Sequence, residues 1–251
     1  MSRLPKIIFF LISFAYVLGR YFLSKNVIII MGPGKVGSGS LYNHIMSSGN
    51  RGVFHIHYLS YSRILEEFRL ERESNRKSAP WHLYISYWLS KFIIIFPRKS
   101  LKIVILSREN AARYLSSVFQ NIGRLNEEIF DLDTGQINDS ELMKFILHGV
   151  NSDIALLQSY LHSEYEDFLG IHLSKLKMNS IVKTKYGFGL YTSLYENFSI
   201  DTLEDYLGIA CSDIKKTNVG SSKFYSSEYK GMQEAVLLKI KPLYSNINRA
   251  F

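Results

Sequence analysis

The sequence has little cysteine: among its 251 residues only Cys211 is one. A single cysteine excludes an internal disulfide framework and any cysteine-rich zinc module, so a reducing compartment is the simpler expectation. Most of the histidines show no metal-ligand spacing, and we expect no bound metal. The histidines without such spacing are His44, His82, His148, His162 and His172.

Acidic side chains are also in the minority. The chain has 22 Asp and Glu against 30 Lys and Arg, which leaves a net charge of +8 at pH 7. This excess suits an anionic ligand, an acidic glycan or an anionic membrane surface. No zinc-finger, RRM-like or basic-zipper signature accompanies the charge, so nucleic acid is not an expected partner.

The apolar stretch near the N-terminus, residues 7–23, is shorter than the roughly 20 residues that a transmembrane helix needs. Its polar members Ser13 and Arg20, with the preceding Lys6, recur every seven residues and would form one narrow stripe on a helix. Residues 1–25 therefore predict an apolar N-terminal helix that is membrane-associated, lying in the interface, or docked on the domain. A spanning anchor is the third alternative.

From residue 26 onward, aliphatic runs alternate with helical patterns, which predicts one α/β domain over residues 26–251 with a mainly parallel sheet flanked by helices. The predicted strands cover residues 27–31, 52–56, 102–106, 181–184 and 189–192, the last two around a hairpin turn at Tyr186-Gly187. The predicted helices cover residues 38–48, 60–76, 107–122, 202–207 and 226–239. Residues 141–168 are predicted to form one or two further helices.

A glycine-rich turn, residues 32–41, joins the first predicted strand to the first helix of the domain. Glycines permit a tight turn and close approach of a ligand, and a helix N-terminus attracts an anion. Lys35 adds a positive charge. A Walker A motif needs Ser or Thr directly after this lysine to hold magnesium, but here Val36 follows. The turn therefore predicts a phosphate site that uses no metal.

The pattern of a strand, then Gly-Lys-Val-Gly-Ser-x-Ser-Leu, then a helix resembles the 5'-phosphosulfate loop of the P-loop sulfotransferase superfamily. The resemblance implies a P-loop-type, sulfotransferase-like fold and binding of 3'-phosphoadenosine 5'-phosphosulfate (PAPS). It also implies that Arg108, at a strand end, and Ser116, eight residues later, grip the 3'-phosphate. The implied loop residues are Lys35, Val36, Gly37, Ser38, Gly39 and Ser40.

Further segments are similar to the capsular polysaccharide synthesis proteins called NKWYS after a C-terminal motif. The similar segments are residues 53–59, 108–113, 119–121 and 222–226. At the last of these the chain reads Ser-Lys-Phe-Tyr-Ser, so the Asn and Trp of the motif are replaced. The resemblance implies a glycan or glycolipid acceptor, namely a cell-surface polysaccharide or its lipid-linked precursor.

Sulfuryl transfer to a hydroxyl needs a base for the acceptor proton and positive charge at the leaving phosphate. The resemblance implies the second role for Lys35. It implies the first for His57, which follows the second predicted strand, as the catalytic histidine does in many sulfotransferases. His55, expected on the same face, and Glu109, beside Arg108, are the alternative bases.

The expected function is a PAPS-dependent sulfotransferase. The alternatives are a P-loop kinase that uses ATP and a non-catalytic nucleotide- or glycan-binding protein of capsule assembly. A second apolar segment, residues 81–96, is followed by Pro97, Arg98 and Lys99, a basic stop suited to anionic lipid headgroups. We therefore expect the protein on the cytoplasmic face of the membrane, peripheral to it or anchored in it.

Overall fold

The structure is a computed structural model, and it describes most of the chain. The described residues are 4–73, 79–98, 100–122, 128–130, 136–195, 197–211, 214 and 226–248.

A five-stranded sheet organises the fold. Its strands are β1 (Val27–Met31), β2 (Val53–Ile56), β3 (Leu101–Ser107), β4 (Ser180–Thr184) and β5 (Gly187–Ser193), in the order β2-β1-β3-β5-β4. The first four strands of this order run parallel, and β4 at the edge pairs antiparallel with β5. The prediction of a mainly parallel α/β sheet flanked by helices is confirmed.

Strand β1 is apolar throughout because helices cover both faces of the sheet. Along β1, Ile28 and Ile30 pack on one side, and Val27, Ile29 and Met31 pack on the other. All five of these side chains are fully buried. The register pairs Met31 with Ile56 of β2 and with Ile105 of β3, so the carboxyl ends of the three strands meet at one edge of the sheet.

Helices cover both faces of the sheet. The α-helices are α1 (Leu4–Leu23), α2 (Ser38–Ser47), α3 (Tyr61–Glu73), α4 (Trp81–Ile95), α5 (Asn110–Gln120), α6 (Asp139–Tyr160), α7 (Ile200–Leu207), α8 (Ser226–Ile240) and α9 (Ser245–Asn248). Two 3₁₀ turns cover Leu173–Lys175 and Lys241–Tyr244. Helices α2 and α7 pack on one face of the sheet, and α1, α4, α5 and α6 pack on the other.

Helix α6 continues without a break into a π-helix, Leu161–Phe168, where the sequence predicted one or two ordinary helices. Its Glu164 is fully buried and accepts hydrogen bonds from the backbone N–H groups of Leu59, at 2.6 Å, and Ser60, at 2.9 Å. Burial raises the pKa of this carboxyl to about 7. The π-helix thus holds the chain just after β2, next to one edge of the site described below.

Helix α1 packs along α4, and its Ser13 and Arg20 side chains make contacts within the protein. Ser13 is fully buried and donates to the Phe10 carbonyl oxygen at 2.8 Å. Arg20 donates to the Tyr16 hydroxyl and, at 3.2 Å, to the Val53 carbonyl oxygen of β2. In the part of the chain that the structure describes, no helix has the length and hydropathy of a membrane span.

Candidate functional site

The candidate site lies at the edge where β1, β2 and β3 end. The turn after β1 leads into α2, and β3 leads through Arg108 and Glu109 into α5. Two helix N-termini therefore flank one strand-end crevice. In open parallel sheets ligands bind in the crevice beyond the carboxyl ends of the strands.

The turn between β1 and α2 is tight, and three of its residues show why. A Cβ at Gly32 would lie 2.4 Å from the Leu106 carbonyl oxygen, so only glycine fits against β3. Gly37 has a φ of 83° and Lys35 a φ of 71°, both in the left-handed region. A lysine in that conformation stores strain of about 1 kcal/mol or more, which is typical of binding loops. On the outer side, a Cβ at Gly34 or Gly39 would meet nothing within 4 Å.

Helix α2 begins at the end of this turn without a side-chain cap. Gly37 is its N-cap residue, and the backbone N–H of Ser40 donates to the Gly37 carbonyl oxygen at 3.0 Å. Ser38, in the first turn, shares a 2.7 Å hydrogen bond with Nε2 of His55 on β2. Val36 is fully buried and packs with the apolar residues of α2. Three of the predicted loop residues, Val36, Ser38 and Ser40, therefore make contacts within the protein.

Two cationic side chains meet at the turn. Arg108 donates from Nη1 to the Lys35 carbonyl oxygen at 3.2 Å, and its guanidinium carbon lies 4.2 Å from the centre of the Tyr195 ring. The Lys35 ammonium donates to the Gln120 side chain at the end of α5. The Nε atom of Arg108 is buried and makes no hydrogen bond within the described residues. Ser116, its predicted companion, lies half-buried in the second turn of α5.

His57 lies on the other side of the turn, directly after β2. Its Nδ1 is 3.3 Å from the Gly32 carbonyl oxygen. A carbonyl oxygen only accepts, so Nδ1 carries the proton and Nε2 is left as the acceptor. Partial burial, together with the nearby charge of Lys35, holds the pKa of His57 below its usual 6.5. The imidazole is therefore neutral at pH 7 and able to take a proton.

Two more imidazoles adjoin His57. The His55 ring centre is 5.3 Å away, as the alternation along β2 predicts, and the His82 ring centre is 5.5 Å away. Burial lowers the pKa of each of these two neighbours to about 4, and the repulsion of a second positive charge by His57 adds to the effect. Within the described ranges no group of His, Cys, Asp and Glu has the geometry of a metal site.

His82, whose spacing in the sequence indicates no role, lies beside the candidate base. Pro80 is the N-cap residue of α4, which sets His82 in the first turn of that helix, next to the end of β2. The sequence signal for this position was Pro80 ahead of an apolar helical run, because proline commonly marks the start of a helix.

Glu109, the alternative base, caps α5. Its two carboxylate oxygens accept from the backbone N–H groups of Ala111 and Ala112, at 3.1 Å each. The Lys241 ammonium is 4.0 Å from the same carboxylate. These contacts favour the capping role, since both carboxylate oxygens already accept from N–H groups at the helix N-terminus.

A cavity of about 240 Å³ opens beside the turn on the β5 side of the sheet. Pro33, Arg108, Glu109 and the tyrosines Tyr165 and Tyr191 contribute to its lining. Because β2 and β5 lie on opposite sides of the β1–β3 pair, the turn separates this cavity from the three histidines. A ligand held at the turn would therefore have the cavity on one side and His57 on the other.

No family model, curated protein or solved structure matches the chain. The likeness of the 32–41 turn to a phosphosulfate loop thus stays a prediction from the sequence. The NKWYS-like segment at 222–226 lies outside the described residues except for its last member, Ser226.

The close contact at Gly32 yields a stability prediction with an internal control. Gly32→Ala should lower the free energy of unfolding by about 1 to 3 kcal/mol, because the new methyl group would overlap backbone of β3. Gly34→Ala should change it by less than about 1 kcal/mol, since that methyl group would meet open space. Urea unfolding of both variants measures the difference. Equal stability of the two would mean that the turn does not pack on β3 as described.

Proposed function

We propose that the protein is a sulfotransferase that moves a sulfuryl group from PAPS to a hydroxyl of a cell-surface polysaccharide or its lipid-linked precursor. The observation that carries the proposal is one arrangement at the end of β1. There a neutral His57, with Nε2 as its acceptor, and the cation of Arg108 contact the backbone of the glycine-rich turn, which itself includes Lys35. A base next to fixed positive charge is what transfer to a hydroxyl requires.

The position after Lys35 favours this reaction over ATP-dependent phosphoryl transfer. A P-loop kinase places a Ser or Thr hydroxyl there as a magnesium ligand. Here that position is Val36, whose side chain is 0% exposed and packs in the core. The side chain at this position offers no oxygen atom and does not face the crevice.

The residues present fit a doubly phosphorylated nucleotide. The buried Nε of Arg108 lacks a hydrogen-bond partner among the described residues, and an anion would supply one. The turn is open above Gly34 and Gly39, so a phosphate could approach its backbone. When bound, PAPS would supply an activated sulfuryl group and a phosphate as leaving group.

In the proposed reaction His57 takes the proton of the acceptor hydroxyl on Nε2 while the acceptor oxygen bonds to sulfur. The bond from sulfur to the phosphate oxygen breaks, and its electron pair stays on that oxygen. Lys35 would leave Gln120 to contact the same oxygen, where negative charge develops. The Gly32 carbonyl holds the His57 ring in the tautomer that the proton transfer needs.

Nucleotide binding tests the proposal. We expect 3',5'-adenosine bisphosphate to raise the melting temperature without magnesium, and ATP with magnesium to raise it less. Arg108→Ala should weaken 3',5'-adenosine bisphosphate by about tenfold or more and leave adenosine 5'-phosphate nearly unchanged, because hydrogen bonds to a charged group contribute roughly 1.5 to 3 kcal/mol. Thermal shift and calorimetry measure both quantities.

Arg51→Ala is the matched control, because Arg51 is exposed and lies before β2, at the opposite edge of the sheet. It should bind both nucleotides as the wild type does. Stabilisation by ATP and magnesium alone would favour the kinase alternative. Equal weakening of both nucleotides by Arg108→Ala would assign Arg108 to holding the turn rather than to a 3'-phosphate.

A further inference from the structure

Helices α1 and α4 present a broad apolar surface to solvent, which we term the α1–α4 face. Its members are large apolar side chains that remain well exposed although the helices are packed on the domain; Leu11 is 57% and Ile95 59% exposed. Monomeric soluble proteins rarely leave so many neighbouring apolar side chains uncovered. The members are Ile7, Ile8, Phe9, Leu11, Ile12, Leu18, Phe22, Leu23, Trp81, Ile94, Ile95 and Phe96.

The two helices form one continuous surface. At one end the rings of Phe9 and Trp81 are 6.3 Å apart, and at the other those of Phe22 and Phe96 are 5.4 Å apart. All four rings belong to the α1–α4 face. The helices therefore run side by side in the same direction, and their exposed sides adjoin along their length.

The polarity of α1 explains why its outward side is wholly apolar. The buried Ser13 and the half-buried Arg20 are satisfied within the protein, by the Phe10 and Val53 carbonyl oxygens respectively. From residue 7 onward, every exposed side chain of α1 is apolar. A helix that only needed to cover the sheet would place its polar side chains outward, so the outward side of α1 is suited to an apolar medium.

Basic side chains flank the α1–α4 face where the two helices end. Residues 1–65 and 74–108, which include both helices, contain no Asp or Glu and seven Lys or Arg in each range. The helix between these ranges, α3, carries four glutamates beside α4, and three of them pair with arginines of the same helix. Among the described residues, Lys25 is exposed just after α1, and Arg98, just after α4, donates to the Ser24 carbonyl oxygen at 2.9 Å. Anions are therefore attracted to the rim of the α1–α4 face.

We infer that the α1–α4 face binds the surface of an anionic lipid bilayer, with α1 and α4 lying in the plane of the interface. Apolar and aromatic side chains would enter the boundary between headgroups and acyl chains, and the basic rim would meet anionic headgroups. The basic residues at the ends of the two helices, Lys25 and Arg98, are placed to meet anionic headgroups beside the apolar side chains. This inference does not rest on the proposed sulfotransferase activity.

Flotation of the full-length protein with lipid vesicles tests the inference. We expect binding to vesicles of phosphatidylglycerol and phosphatidylcholine, and weaker binding to phosphatidylcholine alone or in high salt. Leu11→Glu and Ile95→Glu should each lower the partition coefficient about tenfold or more, since each removes a large apolar side chain from the interface. Both positions are exposed, so the variants should keep the wild-type melting temperature.

Leu238→Glu is the matched control, because Leu238 is 75% exposed on α8, which packs against α5 and α6. This variant should bind vesicles as the wild type does. Equal loss in all three variants, or no loss in the first two, would overturn the inference. Absence of vesicle binding, with self-association that Leu11→Glu abolishes, would instead assign the α1–α4 face to contact between protein copies.

Discussion

Replacing Lys35 with alanine should lower the turnover number with PAPS by about 10² to 10³, because it removes the positive charge proposed to meet the leaving phosphate. The fold should remain intact, since the contact of the Lys35 ammonium group with Gln120 is exposed rather than in the core. Steady-state kinetics with a glycan acceptor measures the loss, and urea unfolding measures the stability. Full activity of the variant would exclude Lys35 from the reaction.

Gln120→Ala separates the charge of Lys35 from its position. The variant deletes one contact of the ammonium group but keeps the charge. If Lys35 leaves Gln120 during the reaction, turnover should stay within about threefold of the wild type, because an exposed contact of this kind contributes little. A loss as large as that of Lys35→Ala would mean that the Lys35–Gln120 contact, rather than the free charge, matters.

His57→Ala should lower turnover by about 10² to 10⁴ and leave the affinity for 3',5'-adenosine bisphosphate nearly unchanged, because a base acts on the acceptor proton. The wild-type rate should fall on acidification as the imidazole gains a proton. Since the pKa of His57 lies below 6.5, the midpoint of that fall should also lie below pH 6.5. A pH profile of kcat with saturating donor measures it.

His148→Ala is the control, because His148 is exposed on α6 and away from the turn. It should match the wild type in rate and in pH profile. Retained turnover in His57→Ala with loss in Glu109→Gln would transfer the role of base to Glu109. Nucleotide binding in a wild type that transfers nothing to any glycan hydroxyl would favour the non-catalytic alternative.

Much of the sheet could be predicted because strands that are buried on both faces have continuous apolar sequences. The aliphatic runs of β1 and β3 read as buried strands, and the hairpin of β4 and β5 was expected around Tyr186. The expected closeness of His55 and His57 followed from alternation along one strand. Local patterns of this kind depend only on neighbours in the chain.

The rest depended on contacts between distant segments, which no local pattern encodes. His82 reaches His57 only because α4 starts beside β2, and the Lys35 contact with Gln120 joins residues 85 positions apart. The polar positions of α1 were visible in the sequence, but not that Arg20 would turn inward, because its acceptor is a backbone oxygen of β2. The π-helix leaves no composition signal of its own.

The packing of α1 on α4 also has a consequence for the order of events during synthesis. Helix α1 leaves the ribosome before α4, and its ring partners on α4 follow only when about 70 further residues have been added. At roughly 5 to 20 residues per second this takes roughly 4 to 15 s, far longer than the microsecond in which a helix forms. Throughout that interval both sides of α1 are uncovered, so a nascent chain near a bilayer can engage lipid before its own domain exists.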